Sequence, residues 1–276
     1  MLHNLNGVIQ DSEKNIFNLQ NRAFLLGDFI SETVKVSNNK VHFWEEHYFN
    51  LMASMRIFRM KIPMGFTQEF LEEELLKTVS ENELKYALVE IIVFRNPDLE
   101  ELLTKSTVSF LIKINSAEES ENFKWFNENS EIEIFKDFTV NPSFFSQVNS
   151  HKPEEIIARA YLQENEYTDL VLLNPEKRIA RTVLGIPFLI QEKHIKTPKI
   201  SEGGIRSVMR NHLINLLQKS NEFTFEEAEI FPFELQKTDE LFILIESEGI
   251  LSIHQNRKKS YTTEQTAKVF TLLNSN

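Results

Sequence analysis

The sequence predicts an α+β protein in two domains, a small N-terminal α+β domain (1–117) and a larger C-terminal domain with a mixed, barrel-like sheet (118–276). Three observations predict it. Residues 31–58 switch from a period-two alternation to a helical period. The polar run Asn115-Ser116-Ala117-Glu118-Glu119-Ser120-Glu121-Asn122 then breaks the apolar patterning and reads as a linker. Beyond it, helix and strand patterns alternate.

The elements follow in order. Ser31 to Val36 alternates and is rich in β-branched residues, Ser37-Asn38-Asn39-Lys40 is a turn cluster, and Val41 to Trp44 resumes extended character. From Glu45 the residues Tyr48, Leu51, Met52, Met55 and Phe58 share one helical face, so a hairpin feeds an amphipathic helix. Thr67 is placed to cap a helix reaching Ser80, because its hydroxyl can accept from a first-turn N–H. Tyr86 to Phe94 and Thr107 to Ile114 alternate as strands.

Past the linker come a strand at Glu131 to Lys136, a helix at Pro153 to Glu164 and a strand at Asp169 to Leu173. Pro153 suits a first helical turn, where its missing N–H would have no partner anyway. The turn Asn174-Pro175-Glu176-Lys177 leads to strands at Arg178 to Leu184 and Phe188 to Gln191. A helix from Ile205 to Gln218, apolar at Ile205, Val208, Met209, Leu213, Leu216 and Leu217, and a last one from Glu264 to Leu273 complete the pattern.

Composition narrows the function classes. In 276 residues, 41% apolar content with 23 Phe is ample for a packed core. A net charge of -11 argues against a nucleic-acid or anionic-membrane surface, and Arg257-Lys258-Lys259 reads as a solvated turn. There is no cysteine, no run of 18 apolar residues and no charged-then-apolar leader, so a cytoplasmic protein without a membrane segment is expected. Seven glycines exclude the glycine-rich phosphate loops. No metal is expected either: His42 and His47 are five apart across a strand-to-helix junction, with no second pair of ligand spacing. Serine hydrolysis lacks an elbow motif. Phe144-Phe145 and Phe231-Pro232-Phe233 read as core or subunit contact.

Phe24, Gly27, Asp28, Glu32, Thr33, His47 and Leu51 stand in the order of a phenylalanine, two residues, G-D-G-x-F-E-T, a hairpin and H-x-x-R-L. This order resembles the fold-type IV pyridoxal-phosphate enzymes, the class IV aminotransferase family that includes branched-chain and D-amino-acid aminotransferases and aminodeoxychorismate lyase. Further matches are Asp169 to Asn174, Thr197-Pro198, Met209-Arg210, Asp239 to Phe242 and Gly249-Ile250, so the resemblance spans about residues 5 to 260. It implies a two-domain D-amino-acid aminotransferase-like fold, pyridoxal phosphate as cofactor, and dimers with active sites near the subunit interface.

The departures fall on the cofactor. Phe29 and Ser31 replace a glycine and a phenylalanine, and Asn50 stands where the family's arginine grips the cofactor phosphate. A neutral amide has neither the charge nor the fork of donors of a guanidinium. The Schiff-base lysine aligns with Val148 or Asn149, preferably Asn149, and an amide cannot form an imine. Lys152 is the nearest substitute, three residues on and roughly 10 Å away along extended chain. Its ordinary role is a solvated lysine at a helix start, and His151 reads as a surface or hydrogen-bonded histidine rather than a general base. Arg181 replaces the glutamate that pairs the ring nitrogen and Ile186 a nearby asparagine, with an outward or paired arginine as the ordinary alternative. At the phosphate-binding helix start, Ser207 replaces a glycine beside Val208, and Leu244 and Ile245 make the cup apolar.

Two functions follow from the resemblance. One is a class IV aminotransferase-like protein without Schiff-base chemistry, binding no pyridoxal phosphate. It would be a binding or partner subunit, homodimeric or paired with an active paralogue, open to a small anionic ligand near Ser207, Arg181 and Arg206. The other is a pyridoxal-phosphate aminotransferase or aminodeoxychorismate lyase that works through Lys152.

Overall fold

A computed structural model describes residues 1–11, 13, 19–97, 106–117 and 119–275. It divides into two compact units, 1–121 with 148–151, and 122–147 with 152–276. Glu118, the expected first residue of the second domain, and Asn276, its expected last, lie outside the described residues.

The first unit contains β1 (Leu2–Leu5), β2 (Val8–Asp11), α1 (Arg22–Leu26), β3 (Phe29–Ser37), β4 (Lys40–Val41), α2 (Trp44–Ile57), α3 (Gln68–Glu81), β5 (Tyr86–Arg95) and β6 (Val108–Ala117). Its strands form an antiparallel sheet in the order β2-β1-β6-β5-β3-β4. Asn38 and Asn39 both take positive φ, which is what a two-residue hairpin between twisted strands requires. The extended stretch expected at Val41 to Trp44 is shorter than its pattern suggests. Phe43 turns left-handed at φ 50° and α2 begins at Trp44, so only Lys40 and Val41 pair. Leu51, Met52 and Met55 of α2 and Leu71, Leu75 and Val79 of α3 pack with Ile30, Val34 and Val36 of β3 in one core. Ser31 and Lys35, which alternation would put outside, are buried as well.

The second unit contains β7 (Lys124–Phe126), β8 (Ile132–Ile134), α4 (Pro153–Asn165), β9 (Asp169–Leu173), β10 (Ile179–Thr182), β11 (Ile186–Gln191), β12 (His194–Pro198), α5 (Val208–Lys219), β13 (Thr224–Ala228), β14 (Glu240–Ile245), β15 (Gly249–Ile253), β16 (Gln255–Asn256), β17 (Lys259–Ser260) and α6 (Glu264–Leu273). A mixed sheet runs β13-β12-β11-β14-β15-β7, with β12–β13 and β15–β7 parallel, and a second runs β10-β9-β8. Phe188 and Phe242 stack at 4.9 Å across the β11–β14 pair, both fully buried. The helix expected from Ile205 starts instead at Val208, because the Ser207 side chain accepts from Arg210 N and fixes the N-cap there. Phe144 and Phe145 are exposed, so of the two expected roles, core or subunit contact, the core role does not hold for them.

Candidate active site

In the first unit, α2 begins one residue after Phe43 and carries His47 and Asn50 three apart, hence on one helical face. Both reach Glu32 on β3. His47 Nδ1 lies 2.7 Å from Glu32 Oε1, and Asn50 Nδ2 donates to Oε2 at 2.9 Å. Glu32 is 6% exposed and His47 1%, so this carboxylate is clamped away from water. The Asn50 amide, expected from sequence at the phosphate-arginine position, is therefore spent on a buried carboxylate of its own chain.

Residues 148–151 add to the same sheet. Ser31 N donates to Asn149 O, Ile30 and Ser150 form an antiparallel bridge, and Asn149 Nδ2 donates to Ser31 Oγ at 2.9 Å. Asn149 is thus tied to Ser31 of β3 by both backbone and side chain. Gly27, left-handed at φ 63°, closes α1, and a Cβ there would meet His151 at 2.7 Å. His151 itself is exposed.

In the second unit, Lys152 is the N-cap of α4 and Pro153 takes the first helical position. The expectation of a solvated lysine is overturned: the residue is only 8% exposed. Burial, with the positive charge of Arg181 acting the same way, pushes its amine down to about 8, while Glu155 and Glu154 oppose the shift. Arg181 lies on β10 at 2% exposure, and its Nη2 donates to Glu155 Oε1 at 2.7 Å. It is a paired, buried arginine. Ile186 begins β11 and pairs opposite Leu244, which is fully buried.

At the start of α5 two of the first N–H groups have side-chain acceptors. Ser207 Oγ accepts from Arg210 N at 2.8 Å, and Glu246 Oε1 accepts from Met209 N at 3.1 Å. Val208, between them, is buried. Arg206 turns to Gln147, with its N donating to Gln147 O and its Nε to Gln147 Oε1. A carboxylate of the chain therefore occupies the end of the helix where the dipole favours an anion.

Three acceptors that organise these positions were not assigned a role from sequence: Glu32, Glu155 and Glu246. Glu155 had a signal, since an acidic residue in the first turn after Pro153 is stabilised by the helix dipole. The pairings of Glu32 and Glu246 are long-range and leave no local pattern. Among the described residues, no group of three or more acidic or histidine side chains could hold a metal ion, and no helix is long and apolar enough to cross a membrane.

The family model described as Amino-transferase class IV matches residues 30–255. The chain belongs to this family. It is 19% identical over 227 residues, 82% of each chain, to a protein of Vibrio harveyi named aminodeoxychorismate lyase. The branched-chain aminotransferase of Thermoproteus uzoniensis superposes with a TM-score of 0.85 at 17% identity, covering 99% of this chain and 93% of that one. That of Escherichia coli gives 0.83 at 14% identity, covering 98% and 92%. The two-domain D-amino-acid aminotransferase-like fold is thereby the fold of this class IV chain.

Proposed function

We infer that this class IV protein is a non-catalytic binding or partner subunit that does not use pyridoxal phosphate. The single observation that carries the reading is that the hydrogen bonds at the altered positions are turned inward. Asn50 is held by Glu32, Asn149 by Ser31, and the α5 start by Ser207 and Glu246. The residues present do not fit the cofactor. An aldehyde has no amine at Asn149 to condense with, and a phosphate dianion at α5 would meet the Glu246 carboxylate already on Met209 N. The protein would act as a cytoplasmic dimer, with itself or with an active paralogue, since α1 exposes Phe24, Leu25 and Leu26 in succession.

The test is direct. The purified protein is incubated with pyridoxal phosphate, reduced with borohydride and mapped by mass spectrometry. Unmodified peptide is the expected result, whereas a stoichiometric adduct sinks the reading. The double variant Asn50→Arg with Asn149→Lys should regain measurable cofactor binding, because it restores the charge and the amine together.

One observation favours a second reading, an aminotransferase or lyase working through Lys152. A buried amine near 8 has a sizeable neutral fraction at neutral pH and is a better nucleophile than a solvated lysine. The same mapping separates the two, since that enzyme would carry its adduct on Lys152.

A further inference from the structure

Of the altered cofactor positions, Arg181 alone keeps charged donors in reserve. Its Nη2 is taken by Glu155, but Nε and Nη1 have no hydrogen-bond partner among the described residues, although the side chain is 3% exposed. A buried donor without an acceptor is costly, because it has given up water for nothing, and more so when it is charged. Such an arrangement points to an acceptor that the chain does not itself supply. Lys152, in the same unit and also buried, adds a second positive charge beside it.

We propose that Arg181, with Lys152 beside it, binds a small monocarboxylate in the C-terminal unit. This rests on the reading above, that the chain binds without pyridoxal chemistry, and gives that binding a ligand class. The charge count selects a monoanion. Arg181 is in contact with Glu155, and Glu154 in the same first turn of α4 acts more weakly on both cations, so only part of the positive charge is left for a ligand. A phosphate dianion would add twice the repulsion from Glu155 that a carboxylate adds. The planar carboxylate also matches the donors of a guanidinium better than those of an ammonium, which gives Arg181 the principal role. Burial and the Arg181 charge together depress the Lys152 amine, and an anion at this place offsets the second of these effects.

The experiment is a titration of the purified full chain with sodium acetate at constant ionic strength, followed by calorimetry and by the thermal midpoint, with inorganic phosphate in parallel. Saturable acetate binding that raises the midpoint, weakened roughly ten- to hundredfold in Arg181→Gln, is expected. No saturable response of the wild-type protein to acetate, saturation by phosphate alone, or unchanged affinity in Arg181→Gln would overturn the proposal. Should Arg181→Gln not fold, the Arg181 Nε–H resonance of the nitrogen-labelled wild-type protein decides. It should move with acetate at the calorimetric midpoint, and a resonance that stays fixed through saturation overturns the site. The two readings fail separately: an acetate site together with a borohydride-trapped cofactor refutes only the loss of pyridoxal chemistry, and neither result together refutes only the carboxylate site.

Discussion

Two buried carboxylates show how this chain handles charge at the level of single residues. Glu32 faces donors from His47 and Asn50, so its burial is compensated by two hydrogen bonds. Asp169 is fully buried; its carboxylate is hydrogen-bonded by the Thr182 side chain and accepts from the backbone at Leu170, Val183 and Leu184 N. Burial raises its carboxyl to about 6, and these hydrogen bonds offset only part of the effect. The folded protein therefore binds a proton between about pH 4 and pH 6 that the unfolded chain releases. Stability falls as the pH rises through that window, by about 3 kcal/mol once Asp169 is ionised. Asp169→Asn keeps an acceptor oxygen for the three N–H groups and removes the titration. Urea midpoints of wild type and variant, compared at pH 4 and pH 7, should diverge in the variant's favour at the higher pH. Parallel pH profiles would mean that Asp169 is ionised without cost.

At the level of elements, local chemistry was legible wherever a side chain acts on its own neighbours. Thr67 accepts from Phe70 N and caps α3, as its position before an apolar period suggested. Thr67→Ala should lower the unfolding free energy by about 1 kcal/mol, read from denaturant midpoints, and an unchanged midpoint would mean that water caps the helix equally well. The hairpin at Asn38-Asn39 and the strand at Asp169 to Leu173 were readable for the same reason: turn residues and apolar runs state their conformation locally. The start of α5 was not. Gly203 to Arg206 continues an apolar pattern into Val208, and only the Ser207 hydroxyl, which competes with the backbone, decides where the helix begins. Strands such as β7 and β13 were missed because each is held in place by a parallel partner distant in sequence. From sequence, Asn50, Asn149 and Arg181 stood out as expected departures from the family pattern. Their partners Glu32, Ser31 and Glu155 emerge only once the chain is folded.

At the level of the whole molecule, the question is what covers the apolar residues that the chain leaves outside. Phe24 is 75% exposed and Leu26 63% on α1, a five-residue helix with no buried residue, and Phe49 on α2 is exposed in the same unit. Scattered apolar residues on a surface are ordinary, but three in succession on one short helix are not. With a net charge of -11, the chain has ample charge to remain soluble, so such a helix is better explained by association than by a tolerated surface. A homodimer buries the same surface on both copies and needs no other gene product. Sedimentation equilibrium of the purified chain should give twice 32.4 kDa. Phe24→Glu with Leu26→Glu should shift the mass to that of one chain while the far-ultraviolet circular dichroism stays the same, because neither side chain contributes to a core. A wild-type mass of one chain, becoming two only on mixing with an active class IV paralogue, would instead assign this surface to a heterodimer. A monomer under both conditions would remove the partner-subunit role and leave a ligand-binding one.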